Sequence, residues 1–227
     1  MPFELDRRQQ VYLVLTGIFV TSLLVADLVA GKYFQLGPLE MSVGTVTFPI
    51  AFLLTDIVNE YYGQKGARFM TVIGMGMLVL AFALVAFARV LPPSAGTFIP
   101  EQSFQDVFGM APRLIFASLT AYLISQIVDI HTFHVVKRVT QAKHLWARAI
   151  GSTVLSQVVD TIAVNYGVML GGRPLGEIAA VTAWSYLYKI VVAIALTPLC
   201  YLAHEVITRR LGIEPMPIAE PESERAS

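Results

Sequence analysis

Six apolar stretches, each long enough to cross a bilayer, fill most of this chain, and acidic side chains interrupt four of them. A membrane helix needs roughly 20 mostly apolar residues at about 1.5 Å rise each. The stretches run at about Val11–Gly31, Val43–Tyr61, Phe69–Val90, Arg113–Val136, Ala147–Leu170 and Val181–His204. With 56% hydrophobic and 14% charged residues and a mean hydropathy of +0.65, an ordinary soluble domain is not expected. The expected fold is an all-α integral membrane protein, a bundle of six transmembrane helices joined by short loops. Residues 1–10 form a leading segment, 11–205 the membrane domain, and 206–227 a Glu- and Pro-rich disordered tail.

The first stretch lacks a small-residue cleavage site and is expected to be a retained span. With the N-terminus in the cytoplasm, eleven of the 16 Lys and Arg residues fall in cytoplasmic segments. Lys32, Arg89, Arg113 and Arg173 fall on the opposite side, and Lys189 within a span. By the positive-inside rule both termini are cytoplasmic. The 16 basic residues balance 16 acidic ones, so no net field attracts nucleic acid, and the single Cys200 rules out an internal disulfide. The third stretch carries no charge before Arg89 at its outer end and is expected to face lipid, with Gly74 and Gly76 allowing a close neighbour. The connection Leu91–Pro112 contains a short amphipathic piece, Ser103–Phe108, suited to the membrane surface or to a lid.

Carboxylates at membrane depth cost about 2.5–3.5 kcal/mol each on insertion scales, so they are expected to face a polar interior. They are Asp27, Asp56 with Glu60, Asp129 and Asp160. Side chains three and four apart share a helix face. Asp56, Asn59 and Glu60 therefore form one polar patch, Ser125, Gln126 and Asp129 a second, and Ser156, Gln157 and Asp160 a third. The last two belong to a local repeat, Ser-Gln-Ile-Val-Asp at 125–129 and Ser-Gln-Val-Val-Asp at 156–160, on helices expected to run antiparallel. Lys189 can neutralise a neighbouring carboxylate, with Asp160 its best partner. Packing roles stand beside these: Glu60 can meet Lys65 or Arg68, Lys189 can snorkel, and Gln126 and Gln157 can join helices. Asp27, near a span end, is open between the two.

Amides and carboxylates with aromatic neighbours such as Tyr61, Tyr62, Tyr122, Tyr166 and Trp184 suit a planar heterocycle with several donors and acceptors. They also suit an amino acid, a sugar or a cation. A carrier of a polar solute is expected, with Asp129 and Asp160 as candidate proton-coupling groups. Against it stands the binding subunit of an ATP-driven complex, for which Ala26 and Ala30 offer a small-residue contact. No phosphate-binding loop or zinc motif occurs, so no enzyme, cofactor or metal site is expected. A homodimer is compatible with so small a bundle, though no feature demands it.

The run Phe48-Pro49 through Thr55-Asp56, Asn59-Glu60 and Gly63 resembles the signature of the YhhQ-type queuosine precursor transporters, also called vitamin uptake transporters. The similarity continues through Ala117-Ser118, Ala121-Tyr122, Ser125–Asp129, Lys143-His144-Leu-Trp146 and Gly151–Asp160, and spans roughly residues 10–205. The resemblance implies a six-span protein of the bacterial inner membrane, similar to the substrate-binding subunits of energy-coupling-factor transporters. It also implies import of 7-cyano-7-deazaguanine and related 7-deazaguanines for tRNA queuosine salvage. The expected substrate-binding residues are Asp56, Asn59, Glu60, Ser125, Gln126, Asp129, Ser156, Gln157, Asp160, Trp184 and Lys189.

Overall fold

The computed structural model describes residues 4–37, 39–109, 112–140, 145–169 and 172–217. Helix α1 (Arg7–Val29) starts at a reciprocal cap. The Asp6 carboxylate accepts from Gln9 N at 2.7 Å, and the Gln9 side chain accepts from Asp6 N at 3.1 Å. Two of the amide donors that a helix start leaves free are thereby bonded. A small antiparallel hairpin, β1 (Tyr33–Leu36) and β2 (Leu39–Ser42), follows in a register that pairs Tyr33 with Ser42. It turns at Gly37, whose φ of 61° favours glycine. The hairpin was not expected from sequence. It is tied to the end of α1 by Ser42 Oγ, which donates to Ala30 O at 2.7 Å.

Next comes α2 (Gly44–Val90), 47 residues that would make a rod about 70 Å long if straight. It is two antiparallel arms. Gly63 (φ 68°, ψ −176°) breaks the helical backbone in a region essentially confined to glycine. Gly44 lies against Ala26 and Ala30 at the end of α1, whereas Tyr62 bonds Arg8 O at its start. The chain then returns: Tyr12 bonds Gly66 O, Phe19 touches Gly74, and Leu28 shares a groove with Phe82 and Val85. The loop expected between the second and third apolar stretches is thus a single residue wide. The second arm is not wholly lipid-facing, because Ala67, Met70, Thr71, Gly74 and Leu78 are buried.

The short α3 (Glu101–Phe108) is held to the end of α2 by Arg89 Nε, which donates to Gln105 Oε1 at 2.8 Å. Helices α4 (Pro112–Val139), α5 (Leu145–Met169) and α6 (Leu175–Glu205) complete the bundle. Ser118 of α4 reaches Asp27 at one end, and Lys137 reaches Met216 at the other. Asn165 of α5 meets Thr182 of α6, and His204 of α6 meets Tyr61. Six helical segments therefore alternate in direction, with both described chain ends at one end of the bundle, where Arg7 bonds Leu211 O. Among the described residues α1, α2 and α6 with its extension to Arg210 are long and apolar enough to cross a membrane.

The disordered tail expected from residue 206 onward is corrected as far as 217. The helix continues through Val206–Arg210 with one wider turn, and Ile207 and Ile213 are buried against Ile57 and Tyr61. Two apolar anchors and the Met216 backbone hold this strap down. Residues 218–227 lie outside the described ones, as do Lys143 and His144, and so do the side chains of Arg113, Trp146 and Arg148.

Candidate functional site

The polar patches meet along one seam between α2, α4, α5 and α6. The two repeat copies bond to each other reciprocally. Ser125 Oγ donates to Asp160 Oδ1 at 3.3 Å, and Ser156 Oγ donates to Asp129 Oδ1 at 3.0 Å. Antiparallel helices place residues of constant index sum side by side, and both pairs share one sum. Each serine thereby satisfies part of the other helix's carboxylate, as low-dielectric surroundings require. All four side chains are buried.

Asp160 also forms an ion pair with Lys189, Oδ2 to Nζ at 2.7 Å, so α5 and α6 are joined by opposite charges. Lys189 lies 5.5 Å from the Phe48 ring centroid as well. Its expected partner is the one found. Thr55 donates to Gln126 Oε1 at 3.2 Å, linking the first arm of α2 to α4. One turn further, Asn59 is fully buried. Neither polar atom of its amide has a hydrogen-bond partner among the described residues, and the same holds for Gln126 Nε2, Gln157 Oε1 and Thr161 Oγ1. Unpaired buried polar groups are costly, so their clustering makes this seam the candidate polar site.

Glu60 closes the seam at the end where the described chain ends lie. Its carboxylate is 3.1 Å from Lys137 Nζ, with both side chains about 95% buried, so among the described residues Lys137 takes the place expected for Lys65 or Arg68. Lys137 also donates to Met216 O at 3.0 Å, and Met216 N donates to Glu60 O at 2.8 Å. Lys137 is one of the eleven cations expected in cytoplasmic segments, yet Asp129, Phe133 and Lys137 recur every fourth residue and so lie on one face of α4. That spacing was the available signal.

The opposite end is open. A cavity of about 150 Å³ is walled by α1, the β1–β2 hairpin and the first turns of α2, together with α4, α5 and α6. Asp27, Asp160, Thr161, Asn165, Ser185 and Lys189 give it polar groups, and Tyr33 and Phe48 give it aromatic walls. That volume matches one known to hold a single aromatic ring, about 150 Å³. A smaller void of about 30 Å³, between α2 and α6, is lined by Asp56, Gln157 and Lys189. Lys189 thus touches both.

Of the eleven expected residues, Asp160 and Lys189 line the larger cavity, and Asp56, Gln157 and Lys189 the smaller. Asn59, Glu60, Ser125, Gln126, Asp129 and Ser156 are buried along the seam between cavity and strap. Trp184 is placed elsewhere: it is 43% exposed, turned away from the cavity-lining Ser185 by one residue of helical rotation. Tyr61 and Tyr62 serve the termini end, with Tyr61 Oη 2.7 Å from His204 Nδ1 and Tyr62 bonded to Arg8 O. Asp27 and Ser118, left out of the expected set, belong to the larger cavity, where Ser118 Oγ donates to Asp27 Oδ1 at 2.9 Å. Ala26 and Ala30 are occupied within the chain. A Cβ on Gly44 would stand 2.7 Å from Ala26 O and 3.2 Å from the Ala30 methyl, so this small-residue face holds α2. The α3 piece lies beside α1 and α2 and does not line the cavity; the hairpin does.

Residues 42–203 match the family described as "Putative vitamin uptake transporter". The chain is 30% identical over 196 residues to the "Probable queuosine precursor transporter" of Bacillus subtilis (strain 168), covering 84% of this chain and 85% of that protein. It is 28% identical over 126 residues to the "Queuosine precursor transporter" of Escherichia coli (strain K12), covering 53% of this chain and 51% of that protein. A relative from Haemophilus influenzae is 27% identical over 126 residues, covering 52% and 47%. No solved structure matches the chain. Buried carboxylates on separate apolar helices, an end-opening polar cavity and a match across most of the sequence agree, and the chain belongs to the vitamin uptake transporter family, a family of transporters and not of enzymes.

Proposed function

We propose that this protein imports queuosine precursors, 7-cyano-7-deazaguanine and related 7-deazaguanines, across the bacterial inner membrane as a stand-alone carrier. The six alternating helical segments are six crossings, with both termini in the cytoplasm and the cavity facing outward. The observation that carries this reading is the larger cavity itself. It sets carboxylate acceptors and a lysine donor among aromatic walls, groups that suit a flat, donor- and acceptor-rich base. The names of the relatives supply the class of base. The solute would pass from this cavity along the seam of Gln157, Gln126 and Asn59 to the Glu60–Lys137 seal. Ala26 and Ala30 pack on α2, so the small-residue contact that would suit an ATP-driven partner is used within the chain.

The test is uptake of radiolabelled 7-cyano-7-deazaguanine into proteoliposomes containing only this protein. Saturable uptake without ATP is expected, competed by 7-deazaguanines and not by unrelated vitamins. Uptake that appears only when an ATPase is reconstituted alongside would overturn the stand-alone reading. Equal rates with and without a pH gradient would remove proton coupling.

A further inference from the structure

The two carboxylates of the larger cavity are held in different ways. Asp160 is neutralised by Lys189 at 2.7 Å and bonded by Ser125. Asp27 is 6% exposed and lies near the C-terminal end of α1, where the helix contributes carbonyl oxygens and no cation. Among the described residues its hydrogen-bond partner is the neutral Ser118 hydroxyl, and no lysine, arginine or histidine is within ion-pair distance. A carboxylate has about four acceptor positions, and a single serine uses one. Thr161, also lining this cavity, is 2% exposed with a hydroxyl that has no partner among the described residues. The cavity therefore has an under-used acceptor on the α1 side, and donors in Lys189 and Thr161 on the α5–α6 side.

A guanine-type base edge presents the complementary sequence: an exocyclic amino group and a ring N–H, both donors, followed by a carbonyl acceptor. We propose that Asp27 is the specificity-determining acceptor for the paired N–H donors of the base, and that Lys189 and Thr161 face its carbonyl. This rests on the precursor-import reading above and assigns the part of the ligand that is read. Asp160, already satisfied from two helices, positions Lys189 and does not itself discriminate bases. Two adjacent N–H groups can meet one carboxylate in the bidentate manner that makes such contacts strong and geometrically selective. A base without the amino group leaves one acceptor position unfilled in a buried site, the kind of mismatch that polar sites reject most strongly.

The experiment measures binding to the full-length protein in nanodiscs by calorimetry, with three ligands. They are 7-cyano-7-deazaguanine, its analogue lacking the 2-amino group, and 7-aminomethyl-7-deazaguanine. Wild-type protein is expected to prefer the first over the second at least tenfold. Asp27→Asn is expected to weaken the first and third at least tenfold and to abolish the preference. Ser118→Ala, which keeps the carboxylate and removes its orienting donor, is expected to lower the preference to an intermediate value. It also serves if Asp27→Asn does not yield monodisperse protein. An Asp27→Asn variant, or in its absence a Ser118→Ala variant, that retains the full preference overturns the assignment. A loss confined to the aminomethyl ligand also overturns it, because Asp27 would then be reading the side-chain ammonium. Wild-type protein that binds none of the three ligands would instead sink the precursor-import reading, and this assignment with it.

Discussion

Asp160 and Lys189 owe their charges to each other. Burying one ion costs several kcal/mol, and a partner at 2.7 Å offsets that cost only while both remain. Asp160→Asn leaves an ammonium with no opposite charge, and Lys189→Met leaves a carboxylate supported by Ser125 alone. Each single change is expected to destabilise the protein by roughly 3–5 kcal/mol. The double change Asp160→Asn/Lys189→Met is expected to recover much of the loss. Thermal unfolding of the purified protein for all four forms closes the cycle, and simply additive losses would show that the two groups do not act as a pair. Helical phase explains why Trp184 does not line this cavity: Ser185 and Lys189 are four apart and face inward, while Trp184 sits about 100° around the helix from Ser185. Composition drew attention to its indole, whereas orientation depends on how α6 packs. Asp27 was harder to read, since proximity to a span end fits a surface carboxylate equally well until the hairpin is folded over it.

At the scale of elements, the first arm of α2 ends at Gly63 and leaves carbonyls without the usual helical amide donors. Glu60 O accepts from Met216 N at 2.8 Å, and Tyr61 O accepts from the Arg8 guanidinium. The strap is therefore a cap as well as a cover for the Glu60–Lys137 pair. Gly63→Ala places a Cβ in ordinary contact with the Met216 side chain at 3.6 Å, so space is not the obstacle. The backbone is: a non-glycine residue held there costs about 1–3 kcal/mol, to be read as a lower unfolding temperature. An unchanged temperature would mean that the arms can reverse direction another way. Deleting the chain from Leu211 onward removes the Met216 donor to Glu60 O, the Met216 acceptor of Lys137 and the Ile213 anchor, and a loss of similar size, about 1–3 kcal/mol, is expected. The long apolar helical stretches and the matched polar faces of α4 and α5 were legible in the sequence. Hydrophobic length fixes the former, and a repeated Ser-Gln-x-Val-Asp on neighbouring antiparallel helices fixes the latter. The hairpin was not, because four-residue strands carry too few residues to show a period. The strap was not either, because a Glu- and Pro-rich composition hides two well-spaced isoleucines, Ile207 and Ile213.

For the molecule as a whole, the two ends of the polar seam differ. One end carries a cavity of about 150 Å³ bounded by the hairpin; the other is shut by a buried ion pair, a capping strap and the Tyr61–His204–Thr208 contacts at 2.7 and 2.8 Å. On the proposed carrier reading the ends must open alternately around one solute, and this arrangement would then be a state accessible from the cavity end. The single native thiol makes this measurable. In a Cys200→Ser background, a membrane-impermeant maleimide added at the outer face is expected to label Thr45→Cys, on the cavity wall, and to be blocked by 7-cyano-7-deazaguanine. Asn59→Cys, fully buried between cavity and seal, is expected to resist the reagent from both faces in the absence of solute. It should gain reactivity from the cytoplasmic face when solute is supplied, because release requires the Glu60–Lys137 pair to part. Lys137→Met removes one half of that seal, so it should make Asn59→Cys reactive from the cytoplasmic face even without solute. If Asn59→Cys instead labels from the outer face as fast as Thr45→Cys does, the seam is a continuous open path, and alternating closure at the strap is wrong.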